Sequence, residues 1–161
     1  MATTTNALKR QILSDSKTEK VTATLQSNLT NMIDLALQLK QAHWNVLGPN
    51  FRSVHLQLDE IIESVRDASD EIAERVSTLG VAPDGRASSV AEDSDLTQYP
   101  DGFQAVQDTV SQVADRLETA IKGLREGIEN LEEMDHISQD MLIAISATLE
   151  KHLWMVQAQE A

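Results

Sequence analysis

The sequence predicts an all-α fold, a four-helix bundle with one long crossover between its second and third helices that carries a short helix. Three observations lead there. Apolar residues recur at spacings of three and four along four long stretches. The connections between those stretches run short, long, short. No stretch alternates apolar and polar residues as a half-buried strand does.

The first helix is expected from about Thr18 to Val46, with Val21, Leu25, Leu29, Met32, Ala36, Leu39 and His43 as its inward stripe. Ile33, Leu37 and Trp44 widen that apolar face. Gly48-Pro49 stops it, and Asn50 is placed to cap the next helix. The second helix runs to about Leu79 on Val54, Leu58, Ile61, Val65, Ala68, Ile72, Val76 and Leu79, and Gly80 ends it. Residues 80–102 are rich in Gly, Pro, Ser and Asp, with one short helical turn expected at Asp95–Tyr99. Asp101 is the expected cap of the third helix, with Gln104 as its capping-box partner. Val106, Val110, Val113, Leu117, Ile121, Leu124, Ile128 and Leu131 form that helix's stripe. A break near Glu133–Asp135 precedes a fourth helix on Leu142, Ile145, Leu149, Leu153 and Val156. Short, long, short connections define the ferritin-like bundle; the same stripes also suit an up-and-down bundle, so the loop lengths decide. Residues 1–17 read as a mobile tail and 18–161 as one bundle domain.

Composition narrows the function. The 161 residues carry a net charge of −13, which repels nucleic acid and anionic membranes and attracts cations. Residues 1–20 are net +2, so the rest of the chain carries −15. Cysteine is absent, which excludes disulfides, thiolate metal sites and thiol catalysis. No apolar run approaches membrane-spanning length and no signal-peptide core follows Met1, so a cytoplasmic location is expected.

The chemistry concentrates in QAHWNVLGPNFRSVHLQLDEIIESVRDASDEIAERV, from Gln41 to Val76. His55 and Asp59 are four apart and share a helix face, as do Asp70 and Glu74. At ~1.5 Å per residue, Asp59 and Asp70 lie roughly 16 Å apart along one helix. A metal needs its ligands within ~2–2.6 Å, so one copy cannot bring both pairs to one ion. His55 with Glu74, and Asp59 with Asp70, are both centred between Ser64 and Val65. A two-fold axis at that point sets His55 opposite the partner's Glu74 and Asp59 opposite the partner's Asp70, giving two equivalent sites. His43 joins from the end of the first helix through the short Gly48-Pro49 connection. Two imidazoles and up to three carboxylates suit Fe(II), and also zinc or manganese. The competing reading of each pair is a solvated helix face. A ferritin-type centre inside one bundle needs two Glu-x-x-His motifs, and only Glu133-x-x-His136 is present.

These residues resemble the Dps family, the mini-ferritins known as DNA-binding proteins from starved cells. KQAHWNVLGPNFRSVHLQLDE and DEIAERVSTLG carry the resemblance most specifically, and QYPDGFQAVQD and Leu153-Trp154 extend it over nearly all of the chain past residue 18. The resemblance implies a hollow homododecamer with tetrahedral symmetry and a ferroxidase centre shared across a two-fold interface. His43, His55 and Asp59 then come from one subunit, and Asp70 and Glu74 from its neighbour. It implies oxidation of Fe(II), typically by hydrogen peroxide, and storage of Fe(III) mineral in the cavity. Trp44 has two readings, an electron donor beside the site or a packing aromatic at the interface, with packing favoured. Glu60, Glu63 and Asp67 read as cavity-lining or simply solvated carboxylates. Glu132, Glu133, Asp135 and Asp140 read as an acidic three-fold pore or as plain surface. DNA binding is expected to be weak or absent, because the tail holds only Lys9, Arg10, Lys17 and Lys20, and QAQEA at the C-terminus holds no basic residue. A DNA-compacting structural protein and a metal-indifferent bundle acting through protein partners are the competing functions.

Overall fold

The computed structural model describes residues 8–161. The expected tail falls partly outside this range, since residues 1–7 are not among those described. α1 (Asp15–Asn45) starts slightly earlier than the apolar pattern suggests. It is followed by β1 (Val46–Leu47), α2 (Phe51–Thr78), the short α3 (Ala87–Asp93), β2 (Gln104–Ala105), α4 (Val106–Leu131) and α5 (His136–Gln157), which ends in a 3-10 turn. α1 packs against α2 and α4, and α5 packs against α4 and α2. This is the ferritin-like four-helix bundle with its crossover between α2 and α4.

The inward stripes set the packing. Leu25, Met32, Leu35 and Leu39 of α1 meet Leu58, Ile61 and Ile72 of α2, Leu117 and Leu124 of α4, and Leu142 and Leu149 of α5 in one apolar core. Burying each such side chain contributes about 1.5–3 kcal/mol against the entropy of ordering the chain. Close approach demands a small residue at Gly127, where an added Cβ would lie 2.9 Å from the Asn28 amide nitrogen.

Three local expectations are corrected. The short helix lies at Ala87–Asp93, not at Asp95–Tyr99. Asp84 starts it by accepting from the Arg86 backbone N–H at 3.0 Å and from Ser89 Oγ at 2.8 Å. Asp101 does not cap α4. It turns back on the Gly102 N–H at 2.9 Å, where Gly102 takes φ +77°, and Gln104 is drawn into β2. Asn50 does precede α2, but with φ 66° and no side-chain cap.

The crossover is tied down by polar groups of α1 and α4. Gln26 pairs its amide with the backbone N–H and C=O of Asp84, both at 2.8 Å. Asn31, 1% exposed, exchanges two bonds of 3.0 Å with Asp95. Arg116, 4% exposed, donates to Gln38 Oε1 at 2.9 Å and to the Gln98 carbonyl at 2.8 Å, with its guanidinium carbon 5.3 Å from the Tyr99 ring centre. The crossover's last residues then pair with the end of α1. β1 and β2 are parallel, with Val46 opposite Gln104 and Leu47 opposite Ala105.

A buried network joins the far ends of α2 and α5. Asp135 caps α5 through the Ser138 N–H and receives Arg75 Nη2 at 2.8 Å, while Arg75 Nε reaches Ser138 Oγ at 2.9 Å. Asp135 is therefore not a free pore carboxylate, because its charge is matched inside the chain. Glu132, Glu133 and Asp140 remain exposed.

Candidate metal centre

His43 sits in the last turn of α1 and His55 in the second turn of α2. Between them the chain reverses through Gly48, at φ 116°, Pro49 and Asn50. Glycine suits this backbone because a Cβ is strained there. The reversal stacks the two imidazoles, with ring centres 3.6 Å apart and planes 20° apart. His43 Nδ1 lies 2.8 Å from the His55 carbonyl oxygen, and His55 Nδ1 lies 2.8 Å from the His43 carbonyl oxygen. A carbonyl only accepts, so each Nδ1 carries a proton, and in the neutral ring the lone pair is then on Nε2. This backbone lock on Nδ1 is how metal-binding histidines are commonly oriented.

Asp59 is one turn beyond His55 on α2. Its Oδ1 lies 2.7 Å from Lys40 Nζ and 3.4 Å from His43 Nδ1. The hydrogen bond from Lys40 holds the Asp59 carboxyl below the usual carboxylate range. His43 is buried, His55 half-buried and Asp59 exposed, so the group opens at the surface. Lys40 also stands 5.9 Å from the ring centre of Trp44, which is 66% exposed.

Asp70 and Glu74 lie further along α2, both exposed. Asp70 borders a concavity lined by Leu29, Ile33, Arg66, Ala73 and Pro83. Among the described residues, no three His, Asp or Glu side chains of one chain form a group able to hold a metal. The structure sets Asp59 beside His43, and His43 against His55, without gathering the three into such a group, and it leaves Asp70 and Glu74 apart from them.

With this geometry in place, the kinship of the chain is decisive. Residues 22–160 match the ferritin-like domain family. The DNA protection during starvation protein of Mycolicibacterium smegmatis is 41% identical over 146 residues, covering 91% of this chain and 80% of that protein. The chain belongs to the Dps family.

The solved Dps of Mycobacterium smegmatis in a tetragonal form superposes with a TM-score of 0.90 at 39% identity, over 95% of this chain and 93% of that one. The Dps of Microbacterium arborescens in its high iron form gives 0.85 at 34% identity, over 89% and 93%. Two features of this Dps chain escape sequence reading. The reciprocal histidine–carbonyl bonds depend on the hairpin's backbone. Lys40 meets Asp59 across 19 positions, a contact no local pattern signals. Among the described residues, no helix is long and apolar enough to cross a membrane.

Proposed function

We propose that this Dps chain is a ferroxidase and iron-storage mini-ferritin that works as a homododecameric shell in the cytoplasm. His43, His55 and Asp59 of one subunit, with the partner subunit's Asp70 and Glu74, form each centre. The observation that carries this reading is the stacked histidine pair, whose Nδ1 atoms are held by backbone carbonyls so that each Nε2 is left for a metal, with Asp59 Oδ1 3.4 Å from His43 Nδ1. The shared midpoint of the two ligand pairs supplies the remaining carboxylates. The relative in its high iron form adds support at the level of kinship.

Fe(II) and hydrogen peroxide are the substrates. Neutral imidazoles give Fe(II) adequate affinity, and carboxylates favour Fe(III), so the donor set eases loss of an electron. Each peroxide takes one electron from each of two Fe(II) ions and leaves as hydroxide. Fe(III) then passes to mineral in the cavity. Zinc fits the same donors and acts as a non-redox competitor.

Anaerobic loading with Fe(II), followed by titration with peroxide, tests the reading. Stoichiometric oxidation by the wild-type shell is expected, with loss of activity in His55→Ala while assembly is retained. Unchanged oxidation in a His43/His55/Asp59 triple alanine variant overturns it. Anomalous scattering from an Fe(II)-soaked crystal locates the ions directly.

A second reading, DNA compaction, draws on the name that the Mycolicibacterium relative bears, a DNA protection during starvation protein. Charge opposes it, since each chain carries −13 and twelve copies multiply that repulsion. Little or no DNA binding at physiological salt is the expected result. Tight, salt-sensitive retardation of plasmid by the intact shell reverses that expectation.

A further inference from the structure

α2 carries a second stripe on the side away from its buried one. Leu56, Asp59, Glu63, Arg66, Asp70 and Glu74 are all exposed, whereas Ile61, Val65, Ala68 and Ile72 are buried. Glu63 lies four residues from Asp59, and Arg66 four residues from Asp70, so both share the face that bears the candidate ligands. They are also centred between Ser64 and Val65, the same point that centres the two ligand pairs. An axis that sets Asp59 opposite the partner's Asp70 therefore sets Glu63 opposite the partner's Arg66, twice.

The charges need such an arrangement. Asp59 facing the partner's Asp70 sets two carboxylates against one ammonium, that of Lys40 2.7 Å from Asp59, and the excess recurs on both sides of the axis. Glu63 and Arg66 are the opposite charges nearest the axis, roughly 2 Å from it along each helix at ~1.5 Å per residue. Among the described residues of one chain, neither side chain has an ion-pair partner. Shape agrees with charge. Leu56, 42% exposed, shares the midpoint with Ala73, which lines the concavity beside Asp70.

We propose that Glu63 and Arg66 form two reciprocal inter-subunit ion pairs across the dyad, fixing the register in which each His43/His55/Asp59 group meets the partner's Asp70 and Glu74. Sliding one α2 along the other removes both pairs at once. They are positioning residues, and the partner they recognise is a second copy of this chain. This separates Glu63 from Glu60 and Asp67, which lie on the flank nearer α5. The proposal rests on the shared-site reading above.

Mixing two full-length variants tests it. Glu63→Arg places Arg against Arg in its own dimer, and Arg66→Glu places Glu against Glu. A mixed dimer of the two is complementary at both contacts, although neither chain recovers a pair within its own helix. Native mass spectrometry at low salt should show each variant associating at least about tenfold more weakly than wild type, and the mixture recovering to within about threefold. Fe(II) uptake should return with the mixed species. Circular dichroism confirms that each variant is helical, and the neutral Glu63→Gln and Arg66→Met chains should weaken association with no like-charge contact present. Variants that associate like wild type overturn the proposal, as does a mixture no better than its components. Restored association without any iron oxidation, in wild type as well, removes the ferroxidase reading and leaves the pairing intact. Normal wild-type oxidation with no rescue on mixing does the reverse.

Discussion

Lys40 neutralises Asp59 from within the same chain, its ammonium 2.7 Å from Oδ1. A metal at Asp59 must compete with that ammonium. Lys40→Met is therefore expected to raise zinc affinity at neutral pH by a few-fold, the scale of an exposed ion pair worth about 0–1 kcal/mol. Calorimetry at low and high salt checks it, and the gain should shrink as salt screens the pair. The sign in acid is opposite. Lys40 holds the Asp59 carboxyl low, so without it the carboxyl protonates at higher pH and acid loss of metal sets in sooner.

The Arg75–Asp135 pair joins the ends of α2 and α5 in a buried setting. Asp135→Asn keeps a side chain able to cap α5 but leaves the guanidinium unmatched, at an expected cost of about 3–5 kcal/mol. Burial pushes the Asp135 carboxyl up, but the hydrogen bonds from Ser138 and Arg75 and the Arg75 charge together bring it below its ordinary value. A depressed carboxyl stabilises the fold fully above the unfolded value of about 3.9, and that contribution is lost as pH falls through the lower folded value. Denaturant melts of wild type and variant should draw closer as pH falls below about 3.9, by only the part of the gap that the depressed carboxyl carries.

Arg116 holds the crossover with hydrogen bonds to neutral oxygens, and among the described residues it has no ion pair. Arg116→Lys retains the charge but not the planar fork, so Gln98 and Gln38 cannot both be satisfied. Hydrogen exchange should rise at least about tenfold across residues 94–105, equivalent to losing about 1.4 kcal/mol, with α2 little changed. Protection equal to wild type across this segment contradicts the clamp.

The long helices were legible because each has a stripe that only a 3.6-residue period makes continuous. The wide separation of His55 and Asp59 from Asp70 and Glu74 was legible because positions along one helix obey simple arithmetic. The crossover was not. Leu96 and Tyr99 are buried three residues apart, as in a helical turn, yet their backbone is irregular and tethered by Asn31 and Arg116. Those tethers lie far away in sequence, so local propensity misplaced the short helix. Asp135 misled for a similar reason. An Asp in an acidic run looks solvated until Arg75, 60 positions earlier, reaches it.

The two-residue pairing of β1 with β2 bears on how the chain comes off the ribosome. The hairpin from His43 to His55 is local and can close early. Its anchor at Val46–Leu47, however, pairs with Gln104–Ala105, which emerge much later in synthesis. Such a non-local contact waits for the intervening chain. A nascent subunit thus carries its two histidines for dozens of residues before the strand that pins their hairpin exists, and the crossover is the timer.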